Sequence, residues 1–325
     1  MIKLRDKVLD ISLKYGLYII FIVIILVFGL NNPRFFALQN FNNILLQSSG
    51  WAVAVAGLVF VMLTGGIDIS TGSNMYFTAW FCVTLMTVGI VPDTTIGIIL
   101  LLITAMAFGG ILGLVNGIFV AFVKVPPLIV TIATMGLFRS VAFTINSLAT
   151  ATFNNNVSNY LGRGTIFGTI PVITVIMLVV IFTGQYVLRY TKFGRQLYAI
   201  GNNEYSARQI GIPVTRNKFF VYIICGATAG LSGLLIGAQT IAVVANFAIE
   251  HHFIIISCAV LGGVSLFGGR GTIFPGAFIG ILIAVTIQNG LVFLGADPYF
   301  YTIMRGSVIF LAVMVDCIKN KNELR

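Results

Sequence analysis

Four stretches almost free of ionic side chains decide what this chain can become. Residues 35–92 carry one ionic group, Asp68, while residues 164–188, 219–249 and 271–296 carry none. About 20 consecutive apolar residues cross a hydrocarbon core, and the buried helices of soluble proteins are shorter. Hydrocarbon offers no partner to an open sheet edge, so such runs must close their backbone hydrogen bonds as helices. A transmembrane barrel would show short alternating strands instead. Only 9% of residues are charged and 58% are hydrophobic, against roughly 25% charged in an ordinary soluble domain. The expected fold is all-α: a polytopic transmembrane helix bundle forming one domain over residues 1–325.

Breaks at Gly, Pro, Asn and charged clusters place about ten spans near residues 16–31, 43–64, 71–90, 95–122, 127–148, 166–188, 218–242, 252–268, 272–293 and 300–318. The N-terminus mimics a signal peptide, but Asn31-Asn32-Pro33-Arg34 follows its apolar run and no small-residue cleavage site does, so a retained first helix is expected. With a cytoplasmic N-terminus, the inner segments hold Lys3, Arg5, Lys7, Lys14, Lys124, Arg189, Lys192, Arg195, Arg208, Arg216, Lys218, Arg270, Lys319, Lys321 and Arg325. The outer segments hold Arg34 and Arg163, which is a positive-inside distribution with both termini in the cytoplasm. The net charge of +10 therefore records orientation in a bilayer, and no nucleic-acid partner is expected. Residues 189–218 form the longest cytoplasmic segment, and residues 149–163, rich in Asn, Thr and Ser, read as an exposed external loop.

Glycines recur four apart at Gly109, Gly113 and Gly117, at Gly226 and Gly230, at Gly233 and Gly237, and at Gly276 and Gly280. That spacing lets helix backbones approach closely, within the chain or at a subunit interface. The segments 65–70 and 262–266 echo each other after apolar helices, as Arg139 and Arg305 do in later spans, so two related halves are plausible. Cys82, Cys225, Cys258 and Cys317 lie scattered through apolar segments and read as buried thiols. Neighbouring His251 and His252 point to different helix faces and have no further ligand cluster, so no metal site is expected. The chain carries no G-x-x-x-x-G-K-[ST] loop, no Ser-His-Asp arrangement and no H-E-x-x-H, so it is not expected to be an enzyme or to hold a cofactor. Were transport driven by ATP, another subunit would have to bind it.

An acid between two long apolar runs is costly at lipid depth and marks Asp68 as a candidate gate or pathway residue. Its setting, Gly65-Gly66-Ile67-Asp68-Ile69-Ser70-Thr71, also suits a tight turn in which Asp68, Ser70 or Thr71 caps the next helix. Arg139 and Arg305 must find water, a carboxylate or backbone carbonyls, with Asp68, Asp297 and Glu250 as possible partners. Asn116 and Asn289 suit either a polar pathway or bonds between helices. The pathway candidates are thus Asp68, Ser70, Asn116, Arg139, Glu250, Asn289 and Arg305.

In the cytoplasmic segment, Asn202 or Asn203 can cap a short amphipathic helix that starts near Glu204, and Gly211 with Pro213 ends it. At this point the chain resembles the permease subunits of bacterial ABC importers for ribose, xylose, galactofuranose and related monosaccharides. Glu204, Ala207, Gly211 and Ile212 match that family's Glu-x-x-Ala-x-x-x-Gly-Ile loop, and Phe193-Gly194-Arg195 and Tyr198 to Asn202 are equally similar. Leu63 to Ser73 resembles its G-I-D-L-S-x-G-S segment, and Leu261 to Thr272 its second glycine-rich segment. Where the family usually has Glu-Leu-Asp-Ala-Ile-Ala, this chain has Glu250-His251-His252-Phe253-Ile254-Ile255, a departure that bears on the external gate and on substrate identity.

The resemblance implies a multi-pass subunit of the bacterial cytoplasmic membrane that passes a neutral sugar inward. It implies three protein partners: a cytoplasmic ABC ATPase subunit, a second permease subunit (a copy or a different chain) and an extracytoplasmic sugar-binding protein. The coupling residues it implies are Asn202, Glu204, Ala207, Gly211 and Ile212. Two other readings are a branched-chain amino-acid ABC permease, whose substrate is zwitterionic, and a stand-alone ion-coupled transporter, which would need intramembrane carboxylates.

Overall fold

The computed structural model describes residues 2–146, 150–297, 299, 300, 303, 306, 307, 310 and 314, with side chains from Gly16 onward except that of Asn146. The helices in chain order are α1 Ile2–Asn31, α2 Leu38–Leu63, α3 Thr71–Thr87, α4 Thr95–Gly117, α5 Pro127–Asn146 and α6 Asn156–Arg163. They continue as α7 Val172–Tyr190, α8 Lys192–Asn202, α9 Glu204–Gln209, α10 Val214–Thr240, α11 His251–Leu261 and α12 Phe278–Phe293. Wider π turns, Ile118–Phe122 and Ile273–Ala277, extend α4 and precede α12. The strands are two residues long: β1 Ala151–Thr152 pairs with β4 Ala242–Val243, and β2 Thr165–Ile166 with β3 Ile170–Pro171. The chain is an all-α bundle, as its apolar runs require.

Among the described residues, 6 helices are long and apolar enough to cross a membrane: Leu38–Leu63, Thr95–Phe122, Pro127–Ile145, Val172–Tyr190, Val214–Thr240 and Ile273–Phe293. The expected span at 16–31 is helical over its whole length within α1, those at 71–90 and 252–268 are helical but shorter, and the span at 300–318 lies largely outside the described residues. The largest departure is at 252–268. Helix α11 has 11 residues, about 16 Å at 1.5 Å per residue, and the remainder, 262–272, is irregular backbone. Non-helical backbone at such depth survives only inside protein, and here it lies against α12 and the end of α2. Gly262 faces Ala277 with no room for a Cβ, and the Gly269 N–H donates to the Leu63 carbonyl at 3.0 Å.

Helix α10 is the axis of the bundle, packed on α2, α3 and α4. A Cβ on Gly109 would sit 2.4 Å from the Gly226 carbonyl oxygen, one on Gly230 2.4 Å from that of Ala105, and one on Gly233 2.2 Å from that of Met75. The four-residue glycine spacings therefore serve contacts within the chain. Helices α4, α5 and α7 turn Ile99, Ile103, Ile129, Leu137, Val179 and Phe182 outward, a face that suits lipid. Residues 150–163, the described part of the expected exposed loop at 149–163, differ from that expectation. Asn155 and Ser158 form a capping box for α6, whose Val157 and Leu161 are buried, and Gly162 lies on the Ala238 carbonyl at the end of α10. Cys82, Cys225 and Cys258 are buried and form no disulfide, and Cys317 is outside the described residues.

Candidate functional site

At one end of the bundle the connection between α7 and α10 folds into two helices where one was expected. The Thr191 hydroxyl accepts from the Gly194 N–H at 3.1 Å and starts α8; Asn203, not Asn202, accepts from the Ser206 N–H at 2.9 Å and starts α9. Leu197 and Ile200 of α8 are buried, Phe193 stacks on Phe60, and the Tyr198 hydroxyl donates to the Gly271 carbonyl at 2.8 Å. Ala207 of α9 is buried against Ile200, Ile212 and Val214. Gly211 turns the chain with φ +80°, which side-chain-bearing residues rarely adopt. The outer side of the turn leaves Tyr205 and Ile210 73% and 75% exposed.

Glu204 anchors this unit. Its carboxylate accepts from Arg208 at 2.8 Å and from Lys218 of α10 at 2.5 Å. Burial pushes its pKa up, but the hydrogen bonds and charges of Lys218 and Arg208 outweigh that and hold it below the ordinary carboxylate value. A backbone junction lies beneath. A Cβ on Gly201 would meet the Leu63 carbonyl oxygen at 1.9 Å and the Gly269 nitrogen at 2.2 Å, and one on Gly268 the Gly65 nitrogen at 2.8 Å. The end of α8 therefore touches Leu63 at the end of α2 and Gly268 and Gly269, which flank the echoing segments 65–70 and 262–266. Asn202 belongs here, beside Gly269.

Asp68 sits in the turn between α2 and α3, 1% exposed. It accepts from the Ser70 N–H at 2.9 Å and the Ser70 hydroxyl at 2.7 Å, and more loosely from Asn116 at 3.4 Å. Asn116 donates to the Ser70 hydroxyl at 2.8 Å and accepts from Thr134 at 2.7 Å. The Tyr222 hydroxyl reaches the Ile67 carbonyl at 3.4 Å. Asp68, Ser70 and Asn116 thus form one network joining the turn to α4, α5 and α10, with amides and hydroxyls as the partners of the acid.

The opposite half of the bundle holds a cavity of about 710 Å³. Gln47 and Trp51 of α2 face Gln288 and Asn289 of α12 across it, and Gln239 and Thr240 at the end of α10 with Asn246 and His251 complete its polar wall. Trp51 meets His251 edge to face with ring centres 5.9 Å apart. Asn289 is 7% exposed, and its Oδ1 has no hydrogen-bond partner. A second cavity of about 480 Å³ adjoins, sharing Trp51, Asn246, His251 and Gln288 and adding the exposed Glu250. Trp51 lies twelve residues, about 18 Å, from the Leu63 end of α2, so the cavity reaches toward the middle of the bundle.

Its inner wall is the irregular segment 241–250, in which Ile241 and Ala248 have positive φ of 65° and 57°. Arg139 of α5 holds this segment, donating to the Ala245 carbonyl at 3.0 Å and the Phe247 carbonyl at 2.9 Å while lying 4.9 Å from the Tyr76 ring centre. Of the partners considered for Arg139, backbone carbonyls take the guanidinium; Asp68 is engaged as described, and Asp297 accepts from the Tyr299 N–H. Arg305 lies outside the described residues.

Residues 40–313 match the family described as branched-chain amino acid transport system / permease component. The chain belongs to that family. It is 36% identical over 299 residues, 91% of each chain, to the ribose import permease protein RbsC of Escherichia coli K12. It is 32% identical over 310 residues to the D-allose transport system permease protein AlsC of the same strain, covering 95% of this chain and 93% of that one. The galactose/methyl galactoside import permease protein MglC of Salmonella typhimurium LT2 is 30% identical over 320 residues, 94% of each. No solved structure matches.

The pathway candidates of this permease separate in space. Asn289 and Glu250 line the two adjoining cavities, Arg139 supports the cavity wall from behind, and Asp68, Ser70 and Asn116 lie in a buried network away from both. Sequence reasoning passed over Trp51, Gln47, Gln239, Asn246 and Gln288. Four of these are neutral amides, which cost little enough in apolar helices to draw no notice, and the fifth reads as one more apolar residue.

Proposed function

We propose that the chain is the membrane-spanning subunit of an ATP-driven importer that passes a neutral monosaccharide into the cytoplasm. One observation carries the substrate class: among the described residues the larger cavity is lined by the amides of Gln47, Gln239, Asn246, Gln288 and Asn289 with Trp51, His251 and apolar groups, and by no carboxylate, Lys or Arg. A zwitterionic amino acid asks for fixed charges at its ammonium and carboxylate, whereas a sugar asks for groups that both donate and accept, as Asn and Gln do. The relatives, named for ribose, allose and galactose import, favour the same reading over the amino-acid transport in the family's description. Buried Asp68, tied to amides and hydroxyls, offers poor support for an ion-coupled carrier.

In this reading the chain crosses the bilayer ten times with both termini in the cytoplasm, α11 and the irregular 262–272 segment together making one crossing. Asn202, Glu204, Ala207, Gly211 and Ile212 shape the coupling loop, and exposed Tyr205 and Ile210 are its contacts for a cytoplasmic ABC ATPase. A second permease subunit and an extracytoplasmic binding protein complete the assembly. The test is uptake into proteoliposomes that hold the assembly purified with its partners. ATP-dependent accumulation of ribose, allose or galactose with no leucine accumulation is expected. Leucine import without sugar import contradicts the reading.

A further inference from the structure

The cavity between α2, the 241–250 segment and α12 has the composition of a solute site, and its floor is built to hold shape. Ligand pockets of roughly 300–1,000 Å³ combine apolar surface with a few convergent polar groups, and this one, at about 710 Å³, sets Trp51 among Gln239, Asn246, Gln288 and Asn289. The side chain of Asn289 is more than nine-tenths buried, yet its Oδ1 lacks a partner within the protein. Buried polar atoms in folded proteins nearly all find partners; Asn289 lines the cavity with an amide whose oxygen is unbonded and closed off from it, so a turn of that amide toward the space would give a solute its bond. The wall opposite is fixed by Arg139 through two backbone carbonyls. Positive φ at Ile241, a β-branched residue, is the kind of backbone outlier that concentrates at ligand sites.

We infer that this cavity is a transient binding site for the ring of a monosaccharide, with Trp51 as the surface on which its apolar face lies and Gln288, Asn289 and Gln239 as the groups that bond its hydroxyls. The inference rests on the sugar-import reading and adds to it the residues that touch the solute in transit. An indole offers a large flat apolar contact. Amides turn to donate or accept as each hydroxyl requires, and no bond is strong enough to hold the solute against onward movement.

The test is initial-rate ribose uptake in proteoliposomes containing the full assembly, with co-elution of the ATPase subunit scored for every variant. Asn289→Leu and Gln288→Leu preserve volume and remove the hydrogen-bonding groups. Each lowers uptake roughly three- to tenfold, the worth of one hydrogen bond. Trp51→Phe keeps a flat ring and stays within about twofold of wild type, whereas Trp51→Leu loses as much as the amide variants. Ile103→Leu, on the outward face of α4, sets the baseline for a change that touches no solute. Wild-type uptake by Asn289→Leu, Gln288→Leu and Trp51→Leu overturns the site and leaves the sugar reading standing. An equal loss in Trp51→Phe and Trp51→Leu, with the ATPase still co-eluting, overturns the stacking role. Import of leucine and not sugar by the wild-type assembly overturns both the site and the reading beneath it.

Discussion

Arg139 shows how a single cation can be kept within an apolar bundle: it lends its donors to backbone that has none of its own. Segment 241–250 leaves the helical ladder, so the Ala245 and Phe247 carbonyls need partners, and the guanidinium supplies both. Arg139→Met should lower stability by about 2 kcal/mol, since an orphaned buried carbonyl costs about 1–3 kcal/mol. A lower Tm in detergent together with lost uptake checks this; an unchanged Tm refutes it. For Asp68 the network predicts that Asp68→Asn keeps uptake within about threefold, because an amide oxygen still accepts from Ser70. Abolished uptake would instead show that its charge takes part in transport. Glu204 makes the pH dependence explicit. Its folded pKa lies below the ordinary carboxylate value, so the tether between α9 and α10 is present above that ordinary value and is lost as pH falls through the folded one. Coupled ATPase activity should therefore not respond to this group at neutral pH, and Glu204→Lys, which sets a cation beside Arg208 and Lys218, should uncouple hydrolysis from uptake while the protein still inserts. Wild-type uptake in that variant contradicts the assignment.

Among the elements, α8 joins α9 and the proposed coupling residues to the rest. Its last turn lies backbone to backbone on the end of α2 and on the 262–272 segment, so displacing it displaces both. Gly201→Ala must part this junction, because even a methyl would overlap the Leu63 carbonyl. The expected result is an inserted protein whose uptake falls at least about tenfold, as tight contacts that cannot relax cost about 1–3 kcal/mol; unchanged uptake would show that the junction transmits nothing. The sequence exposed α9 through its capping Asn and terminating glycine, signals that act locally. It also carried local signals for α8, the Thr191 cap and an amphipathic spacing of Phe193, Leu197 and Ile200, which were passed over because the stretch reads as a loop between two apolar spans. Segment 252–268 reads as one apolar helix: hydropathy records that a segment is buried but not that its second half is irregular backbone satisfied by α2 and Tyr198. The two cavities were legible only at Asn289 and Glu250, since their other polar groups come from four separate helices and the 241–250 segment and meet only in the fold.

At the scale of the whole molecule, two ends with different chemistry share one rigid bundle. The α8–α9 end presents Tyr205, Ile210 and a charged tether to water, and the other end holds an open cavity lined by amides, Trp51 and His251. Between them α4 and α10 run in backbone contact at Gly109, Gly113, Gly226 and Gly230, with no room for a side chain between them. Gly113→Leu should prevent folding, seen as loss of the protein from the membrane fraction, because its first carbon alone would lie 2.2 Å from the Tyr222 carbonyl oxygen. Normal accumulation and uptake would show that the frame yields more than its packing suggests. In the proposed reading, the force from a nucleotide-consuming partner arrives through the α8–α9 unit. The most direct measurement is solute accumulation in liposomes containing this chain with and without its ATPase subunit, at matched ion gradients. Accumulation of sugar that requires the ATPase and ATP is the predicted result; accumulation by the chain alone, driven by an ion gradient, would contradict it.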